Sequence, residues 1–339
     1  MAGTGANSGV LKRPATPPPI RTRQNVLSLP PGDPIITFYG RAIGEMKKKL
    51  IADPLSWRYQ AAIHDYVRPT ATFAQRRAED PLAAPTDILP SASDQVRFWR
   101  QCQHFSWYFL PWHRMYIHHF EKIIMSHVAQ LGGPADWALP YWNYSASAAA
   151  ALLPAPFRNP VLADGSPNHL FVAQRDARAN AGQAFVDPSG SDTDLRACLQ
   201  EASFTAAGAS PGFGGPRTVA NHDSGAFGAL EGTPHGAIHV AVSGPSAAGF
   251  MGNFTRAPLD PIFWLHHCNI DRLWDVWLQR DRVNHKNPST ADWLTSVSFP
   301  FHDASGNAVT MTPSQVLNSR TAPLSYEYDD TSDPLKITP

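Results

Sequence analysis

The chain has 339 residues, with 28 Lys and Arg balancing 28 Asp and Glu and no long run of either sign. That balance disfavours nucleic acid or an anionic membrane surface as the main partner. A hydrophobic share of 43% is enough for a sizeable core, and no apolar run reaches the roughly 18 residues that a membrane-spanning helix needs.

Fourteen histidines and ten tryptophans are the compositional anomalies. The three cysteines, Cys102, Cys198 and Cys268, are too few and too scattered for a disulfide framework or a thiolate zinc site. The opening MAGTGANSGVLKRPATPPPI lacks the apolar core of a signal peptide. It fits a cytosolic protein, or an exported chain whose signal lies outside this sequence.

In chain order, residues 1–22 read as a flexible arm rich in Pro, Gly, Ser and Thr, turning into a surface strap by residue 30. Phe38 to Leu50 has helical spacing, and its Lys47-Lys48-Lys49 run reads as a solvated helix end. Ser56 to Tyr66 is a second helix, capped by Ser56, with Trp57, Ala61 and His64 on one face. Residues 68–93 hold several prolines and read as loop. Asp94 to Gln130 is the longest helical region; a helix starts or restarts at Pro111 and runs to Gly132-Gly133-Pro134. Residues 145–230 are expected to form long irregular loops that wall a site, with one short helix from Ser191 to Glu201 opened by a capping-box pattern. Thr233 to Val242 and Pro258 to Arg280 are the remaining core helices, and the tail from Thr295 suggests a few short strands.

The histidines carry the chemistry. His266 and His267 sit side by side in the apolar, Trp-rich segment DPIFWLHHCNIDRLWDVW, and a buried imidazole needs a hydrogen-bond or metal partner. His235 and His239 are an i, i+4 pair, so both rings leave one helix face and can share a metal. A zinc protease motif would place Glu after the first histidine; Gly236 stands there instead. His104 and His113 are nine residues apart, about 900° on one straight helix, which is opposite faces. They converge only if the chain changes direction between them. With His64, and counting one ring of the adjacent pair His266/His267, this makes six imidazoles and no carboxylate cluster, a set that suits copper, zinc, iron or nickel.

QCQHFSWYFLPWHRMYIHHFE and DPIFWLHHCNIDRLWDVW resemble the two copper signatures of the tyrosinase, catechol oxidase and molluscan haemocyanin family of type 3 copper proteins. WRYQAAIHDY is similar to the family's segment with the first histidine, LEGTPHGAIH to that with the fourth and fifth, and MGNFTRAPLDP to the approach to the last. The resemblance spans roughly Arg23 to Tyr328. It implies a mainly α fold: a central four-helix bundle holding a dicopper site, with long loops and a few short strands. The catalytic domain would cover residues 23–330, with 331–339 as a tail.

The resemblance further implies that copper A takes His64, His104 and His113, and copper B takes His235, His239 and His267, with O2 as co-substrate. His266 would stand just behind the ligands. Cys102, two residues before His104, matches members in which a thioether joins that sulfur to the ring; the plant pattern, a cysteine shortly after the first histidine, is absent from DYVRP. Glu231 matches a buried glutamate that holds a water near the metals. Gly236 and Val240 occupy positions where members active on monophenols often carry Asn and Arg, respectively. Phe254 matches a bulky gate over copper A. Asn269 and Asp271 are expected to orient ligand rings, and Arg272 to join a buried charge pair. Arg23 and Tyr326-Glu327-Tyr328 resemble a clasp that closes the domain. His118, His119, His127, His169, His222, His285 and His302 match no ligand position.

The implied function is oxidation of small phenols: o-diphenols to o-quinones, with o-hydroxylation of monophenols. A haemocyanin-like oxygen carrier and a non-redox zinc protein are the competing readings. Many members continue into a domain that plugs the site, whereas this chain stops eleven residues after Tyr328. It would be an unplugged core, by nature or by trimming, and a homo-oligomer stays open.

Overall fold

The computed structural model describes residues 19–67, 71–187, 189–220, 224–245 and 248–336. Helix α1 (Pro34–Lys47) opens four residues before the expected Phe38. Asp33 accepts the Ile35 N–H, and Pro34 takes the first helical position, where its missing N–H costs nothing. Helix α2 (Trp57–His64) begins where Ser56 caps it, through a Tyr59 N–H to Ser56 Oγ bond of 3.1 Å.

The stretch read as loop over 68–93 contains a helix, α3 (Phe73–Glu79). Thr72 and Gln75 cap it reciprocally, a Thr-x-x-Gln signal that the nearby prolines obscured. Residues 68–70 lie outside the described set.

The long helical region splits into α4 (Ala92–Phe98) and α5 (Phe109–Gln130). Arg100 and Phe105 adopt left-handed backbone angles, with φ of 59° and 55°, and the chain turns between the two helices. Pro111 falls in the first turn of α5, as its lack of an N–H requires.

The 145–230 region is mostly irregular, with α6 (Ala177–Asn180) and α7 (Arg196–Leu199). The helix expected from Ser191 to Glu201 is two separate turns. Asp194 is extended and Gly190, at φ 78°, sits at the cap, so the Ser191 capping pattern does not form.

Helix α8 (Ala237–Ser243) and helix α9 (Pro261–Arg280) complete the centre; Asp260 caps α9 by accepting the Ile262 N–H at 3.1 Å. Helix α10 (Ala291–Leu294), not expected from the sequence, brings the buried Trp293 indole N–H to Trp107 O at 3.0 Å. Helices α5 and α9 pack lengthwise, and Phe120 stacks on Trp264 with ring centroids 3.4 Å apart. Tyr39 of α1 donates to Pro261 O at 2.9 Å and ties α1 to the same core.

Two small sheets lie at the periphery. Strand β1 (Arg21–Arg23) pairs parallel with β4 (Tyr326–Tyr328), Arg21 opposite Tyr326 and Arg23 opposite Tyr328. Strand β2 (Phe299–His302) pairs antiparallel with β3 (Ala308–Met311). The arm expected over 1–22 falls on undescribed residues as far as 18, but Arg21 and Thr22 already belong to β1.

Beneath the β1–β4 pair lies a buried ion cluster. Arg23 donates to Glu121 at 3.1 and 3.0 Å, to Asp271 at 3.3 Å and to Tyr328 Oη at 2.9 Å. Its guanidinium lies 3.6 Å from the Tyr326 ring centroid. Asp271 also accepts from Arg114, from Tyr326 Oη at 2.6 Å and from Tyr328 Oη at 2.5 Å. Arg114 reaches Asp275 at 2.7 Å. Burial pushes the Glu121 carboxyl up, but Arg23 and Arg21 beside it bring it below its ordinary value.

Removing one member of such a cluster strands buried charge. Asp271→Asn should therefore lower stability by about 3–5 kcal/mol in urea unfolding of the full chain. A loss below about 1 kcal/mol would show the cluster to be energetically idle.

Candidate metal centre

Four segments deliver imidazoles to one place. His64 is the last residue of α2. The N–H groups of Arg100, Gln101 and Cys102 donate to the carbonyls of Ala62, Ile63 and His64 at 3.1, 2.8 and 3.2 Å. This run lays the linker between α4 and α5 along the end of α2. His104 thus arrives beside His64, with ring centroids 5.4 Å apart. His113, from the early part of α5, closes the group at 5.2 Å from His104 and 5.7 Å from His64.

The second group forms where Thr233 is extended (φ −139°, ψ 124°) and the chain then winds into α8. His235 and His239 lie a turn apart with ring centroids at 4.6 Å, and His267 of α9 stands 5.1 and 5.5 Å from them. The two groups touch: His113 and His267 stack with centroids 4.5 Å apart and planes within 9°.

Backbone carbonyls aim the rings. The Nδ1 atoms of His64, His113, His235 and His239 lie 2.9, 2.8, 2.9 and 2.6 Å from the carbonyl oxygens of Phe254, Phe109, Glu231 and Met251. A carbonyl only accepts, so each Nδ1 carries the proton and each Nε2 presents a lone pair. Nε2 of His64 lies 3.4 Å from Nε2 of His104, and Nε2 of His239 lies 3.3 Å from Nε2 of His267. Nε2 of His113 and Nε2 of His235 are buried with no hydrogen-bond partner among the described residues.

No contact fixes the tautomer of His267, whose Nδ1 meets no partner among the described residues. The lone pairs of the rings held at Nδ1 converge, which is unfavourable unless a cation sits among them, so the residues fit a metal. Burial, reinforced by the neighbouring rings, holds His113, His235, His266 and His267 well below the ordinary histidine value. It brings His239 down to about 4. Neutral imidazole is the metal-binding form.

Other expected residues sort by position. Cys102 is fully buried, and its Sγ and the ligand nitrogens of His64 and His104 all lie within 4.8 Å of one another. His266 lies beside His235 and His239, at 5.4 and 4.8 Å between centroids, with a ring nitrogen within 4.8 Å of those of His235, His239 and His267. Glu231 sits behind His104: its Oε1 is 2.9 Å from His104 Nδ1, and both oxygens accept the Phe105 N–H, at 3.0 and 3.2 Å. Burial pushes its carboxyl up to about 8.

A cavity of about 560 Å³ opens over the two groups, with His64, His104, His235 and His239 in its lining. Phe254, 39% exposed, stacks on His104 at 4.7 Å between centroids, and Gly236 and Val240 line the same cavity.

Three expectations are corrected. Asp271 orients no ligand ring, because Arg23, Arg114, Tyr326 and Tyr328 take its oxygens. Asn269 orients none either; its Oδ1 accepts from Arg272 at 3.0 Å. Arg272 pairs with no described carboxylate: it donates to Asn269 and to Asp330 O at 3.1 Å, and lies 5.0 Å from the Tyr141 ring. The guanidinium in the charge cluster from this part of the core is that of Arg114, whose position next to His113 gave the sequence reading no cue.

The residues that do hold rings are those whose carbonyls accept from them, above all Met251 and Phe254. Only three apart in sequence, they serve one histidine of each group. Sequence reading missed this role because it lies in main-chain atoms. It also left unnamed the wall residues Asp176, Arg178, Asp192 and Phe227. Of the histidines given no metal role, His222 lies outside the described residues. His118, His119, His127, His285 and His302 are buried away from the cavity lining.

Comparison with known proteins agrees with this geometry. Residues 54–185 and 174–280 match the family model for the common central domain of tyrosinase. A tyrosinase of Hahella sp. (strain CCB-MM4) is 40% identical over 307 residues, which is 86% of this chain and 59% of that protein. A chloroplastic polyphenol oxidase of Malus domestica is 30% identical over 305 residues, 87% of this chain and 46% of that one. The solved structure of latent apple tyrosinase superposes with a TM-score of 0.69 at 25% identity, over 94% of this chain and 64% of that one. The chain thus spans about half the length of the curated relatives it matches. Since the tyrosinase model covers both segments that supply the converging rings, the chain belongs to the tyrosinase family, whose cofactor is a pair of copper ions.

Proposed function

We propose that this chain is a phenol oxidase, converting o-diphenols to o-quinones with O2 and hydroxylating monophenols at the ortho position. One copper would be held by His64, His104 and His113, the other by His235, His239 and His267. The observation that carries this reading is the approach of two sets of Nε2 lone pairs beneath an open, largely apolar cavity. A copper pair supplies the binding and two-electron reduction of O2.

The protein's own contributions follow from the site. Neutral, desolvated imidazoles held at Nδ1 keep their lone pairs aimed without reorganisation. Phe254, Val240 and Phe227 give a phenol ring apolar faces to stack on and limit water. Glu231 steadies His104 and in its ionised form can take up the phenol proton. Because burial raises its carboxyl to about 8, that ionised form is the minor one at pH 7 and becomes the major one above pH 8. Gly236 offers no side chain to share that duty, and Val240 offers no cation for a substrate carboxylate. Both favour diphenol oxidation over hydroxylation of tyrosine-like monophenols. Supported by the close approach of Cys102 to the first group, we read a thioether between its sulfur and the His104 ring, formed as the S–H and a ring C–H bond break and their two hydrogens and two electrons pass to O2.

Metal analysis of the full chain should find two copper equivalents, and His239→Ala should leave about one. The loaded protein should turn over catechol without an activating detergent. Two equivalents with reversible O2 binding and no turnover would favour an oxygen carrier, and no copper binding would end the dicopper reading. Intact mass should lie two hydrogens below the sequence value and return to it in Cys102→Ser; a full-mass wild type excludes the thioether. Phe254→Ala should change the monophenol-to-diphenol rate ratio by about tenfold or less, the scale of one pocket contact. An unchanged ratio with unchanged KM values would remove Phe254 as a gate.

A further inference from the structure

The wall of the cavity above the histidines carries three charged side chains among the described residues: Asp176, Arg178 and Asp192. Every other lining group is apolar, glycine or one of the histidines already assigned.

Two of the three charges cancel within the wall. Asp176 is fixed through its N–H, which donates to Val242 O at 2.8 Å. Its Oδ1 accepts from Arg178 N at 2.7 Å and Arg178 Nε at 3.2 Å, and its Oδ2 from Arg178 Nη2 at 2.8 Å. Asp192 differs. Its Oδ2 accepts the Asp187 N–H at 2.7 Å, and no described Lys or Arg pairs with it. The wall therefore holds one negative charge that no cation of the described residues offsets.

A phenol docked with its hydroxyl toward the histidines holds its ring substituent in the cavity that these three side chains line. A substituent ending in an ammonium gains a charge-assisted contact there. One ending in a carboxylate meets Asp192 with like charge. Arg178 gives it little net attraction, because Asp176 already holds its Nε and Nη2 and balances that charge, and Val240 in the same lining supplies no cation.

We propose that Asp192 is a specificity-determining residue that selects phenols bearing a cationic amine over those bearing a carboxylate. This inference rests on the reading of the cavity as a phenol-oxidising site.

The test compares kcat/KM of the copper-loaded full chain at pH 7 and low ionic strength. The substrates are dopamine, the neutral 4-methylcatechol, and 3-(3,4-dihydroxyphenyl)propanoate. Dopamine should exceed the acid by about two- to five-fold, the range for one partly exposed charge contact, and salt should compress the difference. Asp192→Asn should bring the amine-to-acid ratio close to one. A preference for the acid, or a ratio that the variant leaves unmoved, overturns the proposal. Turnover of 4-methylcatechol separates this inference from the one beneath it: a neutral catechol oxidised without charge discrimination sinks only the role of Asp192. If no catechol turns over, anaerobic binding of tyramine and of 3-(4-hydroxyphenyl)propanoate to the full chain still decides. Tighter tyramine binding that Asp192→Asn abolishes supports the selection, and equal binding refutes it.

Discussion

The buried ion cluster around Asp271 is the constraint on which the site depends. Two arginines and two carboxylates that are fully or almost fully desolvated, Arg23, Arg114, Glu121 and Asp271, meet under a two-stranded ribbon that joins residues more than 300 apart in sequence. Each charge alone would cost several kcal/mol to bury, so the cluster is tolerable only with all its partners in place. Its geometry fixes the rotation of two helices. Arg114 follows His113 on α5, and Asp271 lies one turn beyond His267 on α9. Locking Arg114 to Asp271 beside these positions sets the rotation of both helices and with it where the two imidazoles point.

The imidazoles are then refined by groups with little freedom of their own. Carbonyl oxygens of Phe109, Glu231, Met251 and Phe254 hold Nδ1 atoms, and a carbonyl within packed backbone has no rotamer to lose. His104 is held instead by a side chain, the buried Glu231 carboxyl, which is itself pinned by the Phe105 N–H, and Nδ1 of His267 has no partner among the described residues. The left-handed turn at Phe105 is what directs that N–H back to Glu231.

Much of this was legible beforehand, and the limits have physical causes. The apolar, Trp-rich run of α9, the Ser56 cap and the i, i+4 pair His235 and His239 are local signals, and each has its expected counterpart in the structure. The 900° conflict between His104 and His113 correctly demanded a change of direction. Its source, two non-glycine residues in left-handed conformation, has no marker in the composition. Asn269 and Asp271 were misjudged because motif position says that a polar residue is buried, not which buried partner it meets. The partners of Asp271 come from β1, α5 and β4, all remote in sequence. Main-chain acceptors such as Met251 O are beyond any reading of residue type.

The stacking of His113 on His267 ties the architecture to the chemistry. Each half-site is assembled from two rigid bodies rather than three. His64 and His104 travel together, because the linker is hydrogen-bonded along the end of α2. His235 and His239 travel together on one helical segment. The third ring of each set comes from the α5–α9 pair, so the spacing of the half-sites is a property of how closely those two helices pack. A larger side chain wedged between α5 and α9, far from any substrate, would act as a ruler of different length and retune the distance across which a single small molecule must be shared.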